Sequence, residues 1–309
     1  MQDITLTFPA FCAILKPIHT ERRFSMSIQT IPLTVPYEKA GLDAAGLHPT
    51  LTAVTLDYSK EIGQKQHSAV ILCPGGGYEY CSDREAEPVA MRLAGYGIQA
   101  FVLRYSVVHK PFPTALLELA AAVSYVRSHA EEYDIHPDRI AVCGFSAGGH
   151  LAASLGVFWS SNLITGVFGD PAGCRPNGLI LSYPVITAGQ YQHAGSIDNI
   201  IGEKASPEQR QLVSLETQIT PDVPPTFLWH CADDGLVPVQ NSLLFLEGLS
   251  LAGVSYEAHI YPSGGHGLAL ADQTTAMGTW HLNPDCAEWF DLAVRWINRT
   301  LGTPRLADA

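Results

Sequence analysis

Arg139-Ile-Ala-Val-Cys-Gly-Phe-Ser-Ala-Gly-Gly-His-Leu-Ala-Ala-Ser-Leu155 is the stretch that decides the fold. It opens on a short apolar run, residues 140–143, of the kind that fills a buried strand. A Gly-x-Ser-x-Gly pattern follows, Gly144-Phe145-Ser146-Ala147-Gly148, and then a helix of small residues over 150–157. Strand, sharp turn and helix are the context of a nucleophile elbow, with the serine hydroxyl pushed outward on a strained turn. Side chains at positions 144 and 148 would collide with the strand and helix around them, and glycine occupies both. A helix that starts just after Ser146 also aims free backbone N–H groups at any negative charge developing there.

Working outward, strands and helices alternate. Apolar strand patterns cover residues 28–35, 51–58, 67–73, 98–105, 140–143, 178–183, 226–231 and 256–261. Helical patterns cover 85–96, 113–133 and 285–301, the second stopped by His136-Pro137. This alternation predicts an α/β architecture, a mostly parallel sheet with helices on both faces. Residues 185–225 break the rhythm with polar and helical stretches and with Pro221, Pro224 and Pro225. They are expected to form a small cap insertion at the mouth of the site. Residues 1–27 carry no regular pattern. Residues 6–15 are apolar but interrupted by Pro9, with no basic residue ahead of them, unlike a secretion signal. We expect this segment to be a dispensable N-terminal extension, with one catalytic domain over 28–309.

Composition narrows the function classes. The 309 residues are 47% apolar, ample for a sizeable core. Eighteen basic against 30 acidic residues give a formal net charge of −12, which argues against a nucleic-acid or anionic-membrane partner. The 7 cysteines include no Cys-x-x-Cys pair. Cys73, Cys143 and Cys231 sit in or beside apolar runs, where cysteine acts as a small hydrophobe. A reducing, cytoplasmic compartment is expected. No apolar run reaches membrane-spanning length, and no repeat is visible. A homo-oligomer is compatible with this composition.

A serine acyl-transfer site needs a base, a group that orients the base, and donors for the oxyanion. The base candidate among the 12 histidines is His266, in Ser263-Gly264-Gly265-His266-Gly267 after the last strand. His230 ends a strand and is a weaker rival. The orienting acid lies in Ala232-Asp233-Asp234-Gly235, where Asp234 is favoured over its neighbour Asp233; the alternative is a solvated loop acid that caps the helix beginning near Val239. The order Ser, Asp, His along the chain is that of the α/β-hydrolases. Oxyanion donors are expected from Gly76 and Gly77, in Pro74-Gly75-Gly76-Gly77-Tyr78, and from the N–H of Ala147. The glycine run lacks the Lys-Ser/Thr ending of a phosphate-binding P-loop. No metal-ligand spacing stands out, so neither a metal nor a cofactor is expected. Tyr78, Phe145 and Tyr183 are taken as substrate-binding side chains, with Tyr191 and residues 197–201 as further walls of the acyl side. Gln190, Gln192, His193 and Asn199 form a polar outer mouth.

The elbow, the Pro74–Tyr78 loop, Ser82-Asp83-Arg84-Glu85-Ala86-Glu87-Pro88-Val89-Ala90 and Pro262-Ser263-Gly264-Gly265-His266-Gly267 together resemble the bacterial esterase/lipase branch of the α/β-hydrolases. More narrowly they resemble the acetyl-xylan esterase-like, or xylanase B-like, proteins. The resemblance runs from about residue 35 to 301, and Ser82–Ala90 is its more specific marker. It implies an α/β-hydrolase fold and a serine carboxylesterase acting on short acyl esters, acetyl first, of a sugar or aryl alcohol. It also points to Asp234 through an Asp-x-x-Val pattern. One departure is Pro74, where many relatives carry histidine. A peptidase or amidase of the same fold, or a non-catalytic binder of small molecules, are the alternatives.

Overall fold

The computed structural model describes residues 25–57 and 66–303. One sheet of eight strands runs in the order β1-β2-β4-β3-β5-β6-β7-β8. The strands are β1 (Ser25–Pro32), β2 (Thr50–Asp57), β3 (His67–Cys73), β4 (Gln99–Arg104), β5 (Ile135–Phe145), β6 (Gly178–Ser182), β7 (Thr226–Cys231) and β8 (Tyr256–Tyr261). β1 pairs antiparallel with β2, and β2 with β4, whereas the pairings from β4 through β8 are parallel.

The strand sequences account for this arrangement. In β3, Ala69, Ile71 and Cys73 enter one core while Val70 and Leu72 enter the other. Side chains alternate across a strand, so a strand covered on both faces reads as an unbroken apolar run. One core is filled by α2 (Thr114–Ser128), α3 (Ala147–Phe158) and α7 (Gln240–Leu251). The other is filled by α1 (Glu87–Gly95) and α9 (Trp289–Thr300). α9 buries Trp289, Phe290, Ala293, Val294, Trp296 and Ile297, a single helical stripe. Every residue of α3 is buried, which is why its sequence is small and apolar all round.

Some expected boundaries move. β1 begins at Ser25, with Met26 opposite Leu56, so residues 25–27 belong to the sheet and not to an extension. Residues 1–24 lie outside the described part. α2 stops at Ser128, and the chain turns so that the Ile135 N–H bonds Ala130 O at 2.7 Å. His136-Pro137 therefore lies inside β5, where the register against β3 shifts between Ile135 and Ile140. Proline fits there because a shifted ladder leaves its missing N–H without cost. The closing helix comes in two pieces, α8 (Pro284–Ala287) and α9.

Between β6 and β7 the insertion holds α5 (Ala194–Ile201) and α6 (Pro207–Leu212), after the short α4 (Asn162–Phe168) earlier in the chain. Ser206 and Gln209 form a capping box on α6. Ile197 and Ile200 of α5 are buried in the main core. Among the described residues no single helix is long and apolar enough to cross a membrane.

Candidate active site

Ser146 stands between β5 and α3 with φ 53° and ψ −117°, a conformation that an L-residue avoids. It is held there by three backbone bonds. Its N–H donates to Ser182 O at 3.0 Å, and its carbonyl accepts from His150 N–H and Val185 N–H. The flanking glycines explain how so tight a turn closes. A Cβ on Gly144 would lie 2.1 Å from Gly148 O, and one on Gly148 would lie 2.0 Å from Cys73 O. The second clash is with the end of β3, so the helix start is pressed against the loop that follows that strand.

His266 and Asp234 meet this serine. His266 Nε2 lies 2.9 Å from Ser146 Oγ, and His266 Nδ1 lies 2.6 Å from Asp234 Oδ2. Asp234 Oδ1 accepts from the N–H groups of Leu236 and Val237, each at 2.9 Å. Because a carboxylate only accepts, His266 carries its proton on Nδ1, and Nε2 is left to accept from the serine hydroxyl. His230 supplies a further donor. Its Nδ1 faces Ser242 Oγ at 2.7 Å, and its Nε2 lies 3.1 Å from Asp234 Oδ2 and 3.0 Å from Val237 O. Burial by itself would raise the Asp234 carboxyl, but hydrogen bonds from His230 and His266 hold it well below the usual carboxylate range. His230, the rival base, thus sits behind the acid. Asp233 takes a different place, accepting from Gly264 and Gly265 N–H at 2.9 Å each.

The glycine loop lies on the other side of Ser146. A Cβ added to Gly75 would fall 3.0 Å from Ser146 Cβ. Gly76 and Gly77 both have positive φ. Among the described residues no acceptor pairs with the N–H of Gly76, Gly77 or Ala147, the last being an unpaired first-turn donor of α3. Pro74, at the position where histidine was noted as common, gives its carbonyl to the Tyr105 hydroxyl at 2.6 Å. From the cap, Asn199 Nδ2 donates to Gly77 O at 2.8 Å. His193 caps α5 through Ser196, with Nδ1 2.7 Å from Ser196 Oγ. Burial, together with nearby His266, lowers its pKa.

The three expected substrate-binding aromatics are elsewhere. Phe145 is fully buried against Tyr183 and Trp289, on the far side of the strand from the serine's mouth. Tyr183 is fully buried too; its hydroxyl donates to Glu85 Oε1 at 2.7 Å and accepts from Ala269 N–H at 2.9 Å. Tyr78 is 4% exposed, with its hydroxyl on His150 Nδ1 at 2.9 Å. All three are buried in the core, and none presents a wall to a substrate. Ile197 and Ile200 likewise turn into the core. Sequence reasoning passed over Glu85, whose partner Tyr183 lies 98 residues along the chain, and it took His230 only as a rival base and Asn199 only as part of the outer mouth. The Ser82–Ala90 stretch was the one signal that pointed near Glu85. A groove of about 310 Å³ also opens beside α5, lined by residues such as Phe112, Asn199 and Leu212, without Ser146 or His266 among them. Among the described residues no cluster of His, Cys, Asp or Glu is placed to hold a metal ion.

Comparison with known proteins gives this geometry a context. The profile of a family described as BD-FAE matches residues 56–249. The chain is 36% identical to endo-1,4-beta-xylanase B of Butyrivibrio fibrisolvens over 67% of its own length and 33% of that protein's. It is 30% identical to an acetylxylan esterase of Xylanibacter ruminicola over 69% of its length and 42% of that protein's. The chain thus spans well under half the length of these curated relatives. Among solved structures, the acetyl ester-xyloside bifunctional hydrolase of Caldicellulosiruptor lactoaceticus superposes with a TM-score of 0.76 at 37% identity, covering 88% of this chain and 96% of that one. The fold is that of the α/β-hydrolases.

Proposed function

For a chain that belongs to the BD-FAE family of α/β-hydrolases, we propose a serine carboxylesterase reaction carried by Ser146, His266 and Asp234. The observation that carries this reading is the hydrogen-bonded file from Ser146 Oγ to His266 Nε2, at 2.9 Å, and from His266 Nδ1 to Asp234 Oδ2, at 2.6 Å.

In the first half-reaction Ser146 Oγ attacks the ester carbonyl carbon as its proton passes to His266 Nε2. Asp234, fixed by Leu236 and Val237 N–H, stabilises the imidazolium that forms and keeps the ring in the productive tautomer. The carbonyl oxygen becomes an oxyanion facing the N–H groups of Gly76, Gly77 and Ala147. The alcohol leaves with the proton from His266. Water then attacks the acyl-serine, giving a proton to His266, and the acid leaves as Ser146 Oγ recovers its proton. Similarity to the acetylxylan esterase and the acetyl ester-xyloside hydrolase supports acetyl or other short acyl esters of a sugar alcohol as the substrate class.

The test is labelling and turnover together. A fluorophosphonate should attach to Ser146, located by peptide mass spectrometry, and folded Ser146→Ala should lose both label and hydrolysis. Across p-nitrophenyl esters, kcat/KM should be highest from acetyl to butyryl and fall by octanoyl, with acetylated xylo-oligosaccharides also cleaved. Retention of more than a few per cent of turnover by Ser146→Ala would end the assignment. A maximum at octanoyl would end the short-acyl reading.

A further inference from the structure

Ser82–Ala90 is the stretch of sequence most specific to the resemblance, yet none of its residues enters the chemistry just described. Its 3-10 turn, Asp83–Glu85, lies between the two loops that must cooperate. Glu85 is 4% exposed. One carboxyl oxygen, Oε2, accepts from Gly75 N–H at 2.7 Å. The other, Oε1, accepts from the Tyr183 hydroxyl at 2.7 Å. Tyr183 in turn accepts from Ala269 N–H at 2.9 Å and sets its ring edge-on to His266, centroids 5.0 Å apart. The neighbouring Arg84 donates from Nε to Thr275 O at 2.6 Å and from Nη1 to Gly267 O at 2.8 Å. Ser82 N–H closes the glycine loop on Gly75 O at 2.9 Å.

Ser82, Arg84 and Glu85 therefore hold the glycine loop on one side and the histidine loop on the other. A buried carboxylate is costly to desolvate, and an apolar residue would fill the same volume without that cost. What the carboxylate supplies is two divergent acceptors on one rigid plane. We propose that Glu85 is a positioning residue: it fixes the Gly75–Gly77 loop and, through Tyr183, the His266 loop in one register. Oxyanion donors and general base then address the same acyl carbon. Gly75 N–H is consumed by Glu85, which turns the following peptides so that Gly76 and Gly77 N–H stay free. Electrostatic preorganisation of this sort acts on the transition state and hardly on ground-state binding.

This inference rests on the esterase reading, and the experiment separates the two. Full-length wild type, Glu85→Gln, Tyr183→Phe and the double variant are assayed with p-nitrophenyl acetate, and each is titrated with a trifluoromethyl ketone that adds to the serine. Glutamine has a single acceptor oxygen, so either one of the two bonds is lost or the Tyr183 hydroxyl, already accepting from Ala269 N–H, must give up its donor role. For Glu85→Gln, kcat is expected to fall about 10²-fold with KM within about threefold of wild type. Ketone affinity should fall in proportion to kcat/KM. Tyr183→Phe keeps its ring on His266 and loses only the hydroxyl, with an expected loss in kcat of about tenfold. The double variant should be no worse than the weaker single one, because both break one chain of contacts.

An inactive wild-type chain would sink the esterase reading and this inference with it. An active wild type beside a Glu85→Gln variant within threefold in kcat, or one that loses only in KM, would sink the inference alone. So would single losses that multiply in the double variant. Should Glu85→Gln fail to fold, Tyr183→Phe decides: a kcat within twofold of wild type overturns the proposal.

Discussion

Asp233 and Asp234 are adjacent in the chain and hold adjacent residues of one loop. Asp233 Oδ1 takes the N–H groups of Gly264 and Gly265, while Asp234 Oδ2 takes His266 Nδ1. One fixes the backbone that carries the imidazole; the other fixes the imidazole. Asp234→Asn presents an amide where an acceptor is needed and permits the wrong tautomer, so kcat should fall about 10³–10⁴-fold. Asp233→Ala removes only the backbone anchors of an exposed loop, and a loss of about fivefold is expected from looser positioning. Steady-state kinetics of both variants under one assay checks the ranking. A larger loss for Asp233→Ala would move the orienting role to that residue.

Ser146 holds φ 53° and ψ −117° at the turn between β5 and α3. Strain of this kind costs about 1–3 kcal/mol for a residue with a Cβ. Glycine adopts the same angles freely but loses about 0.5–1 kcal/mol more backbone entropy on folding. Both Ser146→Ala and Ser146→Gly remove Oγ, so their difference isolates the backbone. Ser146→Gly should be the more stable of the two by about 1 kcal/mol in urea unfolding. The opposite order would show that the turn relaxes around alanine.

How far the site was legible follows from which interactions are local. The elbow, the glycine loop and the histidine loop are continuous in sequence, and each announced its place at a strand end. The buried strands announced themselves too, because two-sided burial leaves an unbroken apolar run. Phe145 misled because adjacency to Ser146 was taken for a shared direction, and Tyr183 because its place at the head of the insertion was taken for a place at the mouth. Both are buried in the core that α1 and α9 cover, Phe145 against Trp289 and Tyr183 against Trp229. Glu85 was silent for another reason: it is 98 residues from Tyr183, and no local pattern carries that pairing. His230 lies four residues before Asp234 and was read as a rival base, not as a second donor to that acid.

His150 offers a test in solution acidity. It is fully buried, with Nδ1 on the Tyr78 hydroxyl and Nε2 on Val213 O, both at 2.9 Å. Burial lowers its pKa from 6.5 to about 4. Unfolded chains take up this proton below pH 6.5 and the folded chain does not until about pH 4. The stability it contributes is therefore complete above pH 6.5 and is lost as pH falls toward 4. That loss is on the order of 3 kcal/mol. His193 and His281, also lowered by burial, add in the same direction. Asp234, held low by its donors, adds only below the ordinary carboxylate range. Urea unfolding from pH 7 to 4.5 should show a steep loss in wild type and a shallower one in His150→Gln. Parallel curves would place the acid sensitivity elsewhere.

Asn199 joins the cap to the oxyanion loop, and its substitution separates geometry from charge. Its Nδ2 donates to Gly77 O at 2.8 Å. That carbonyl belongs to the peptide after Gly77, whose own N–H is an oxyanion donor in the proposed reaction. Pinning the carbonyl limits rotation of a residue at φ 66°, in a loop rich in glycine. Asn199→Ala releases it, and kcat should fall about tenfold while KM stays within about twofold, since the lost interaction serves the transition state. Asn199→Asp is nearly isosteric but sets an acceptor against an acceptor. The carboxylate repels the carbonyl oxygen and adds negative charge close to a developing oxyanion, so this variant should be worse than alanine by a further factor of about ten. Raising salt should recover part of the aspartate deficit, because a half-buried charge is partly screened, and none of the alanine deficit. If alanine and aspartate are equally impaired and neither responds to salt, Asn199 acts by filling space, and α5 does not steer the loop. If Asn199→Ala stays within twofold of wild type, Gly77 is held by its own turn and the cap serves only to cover it.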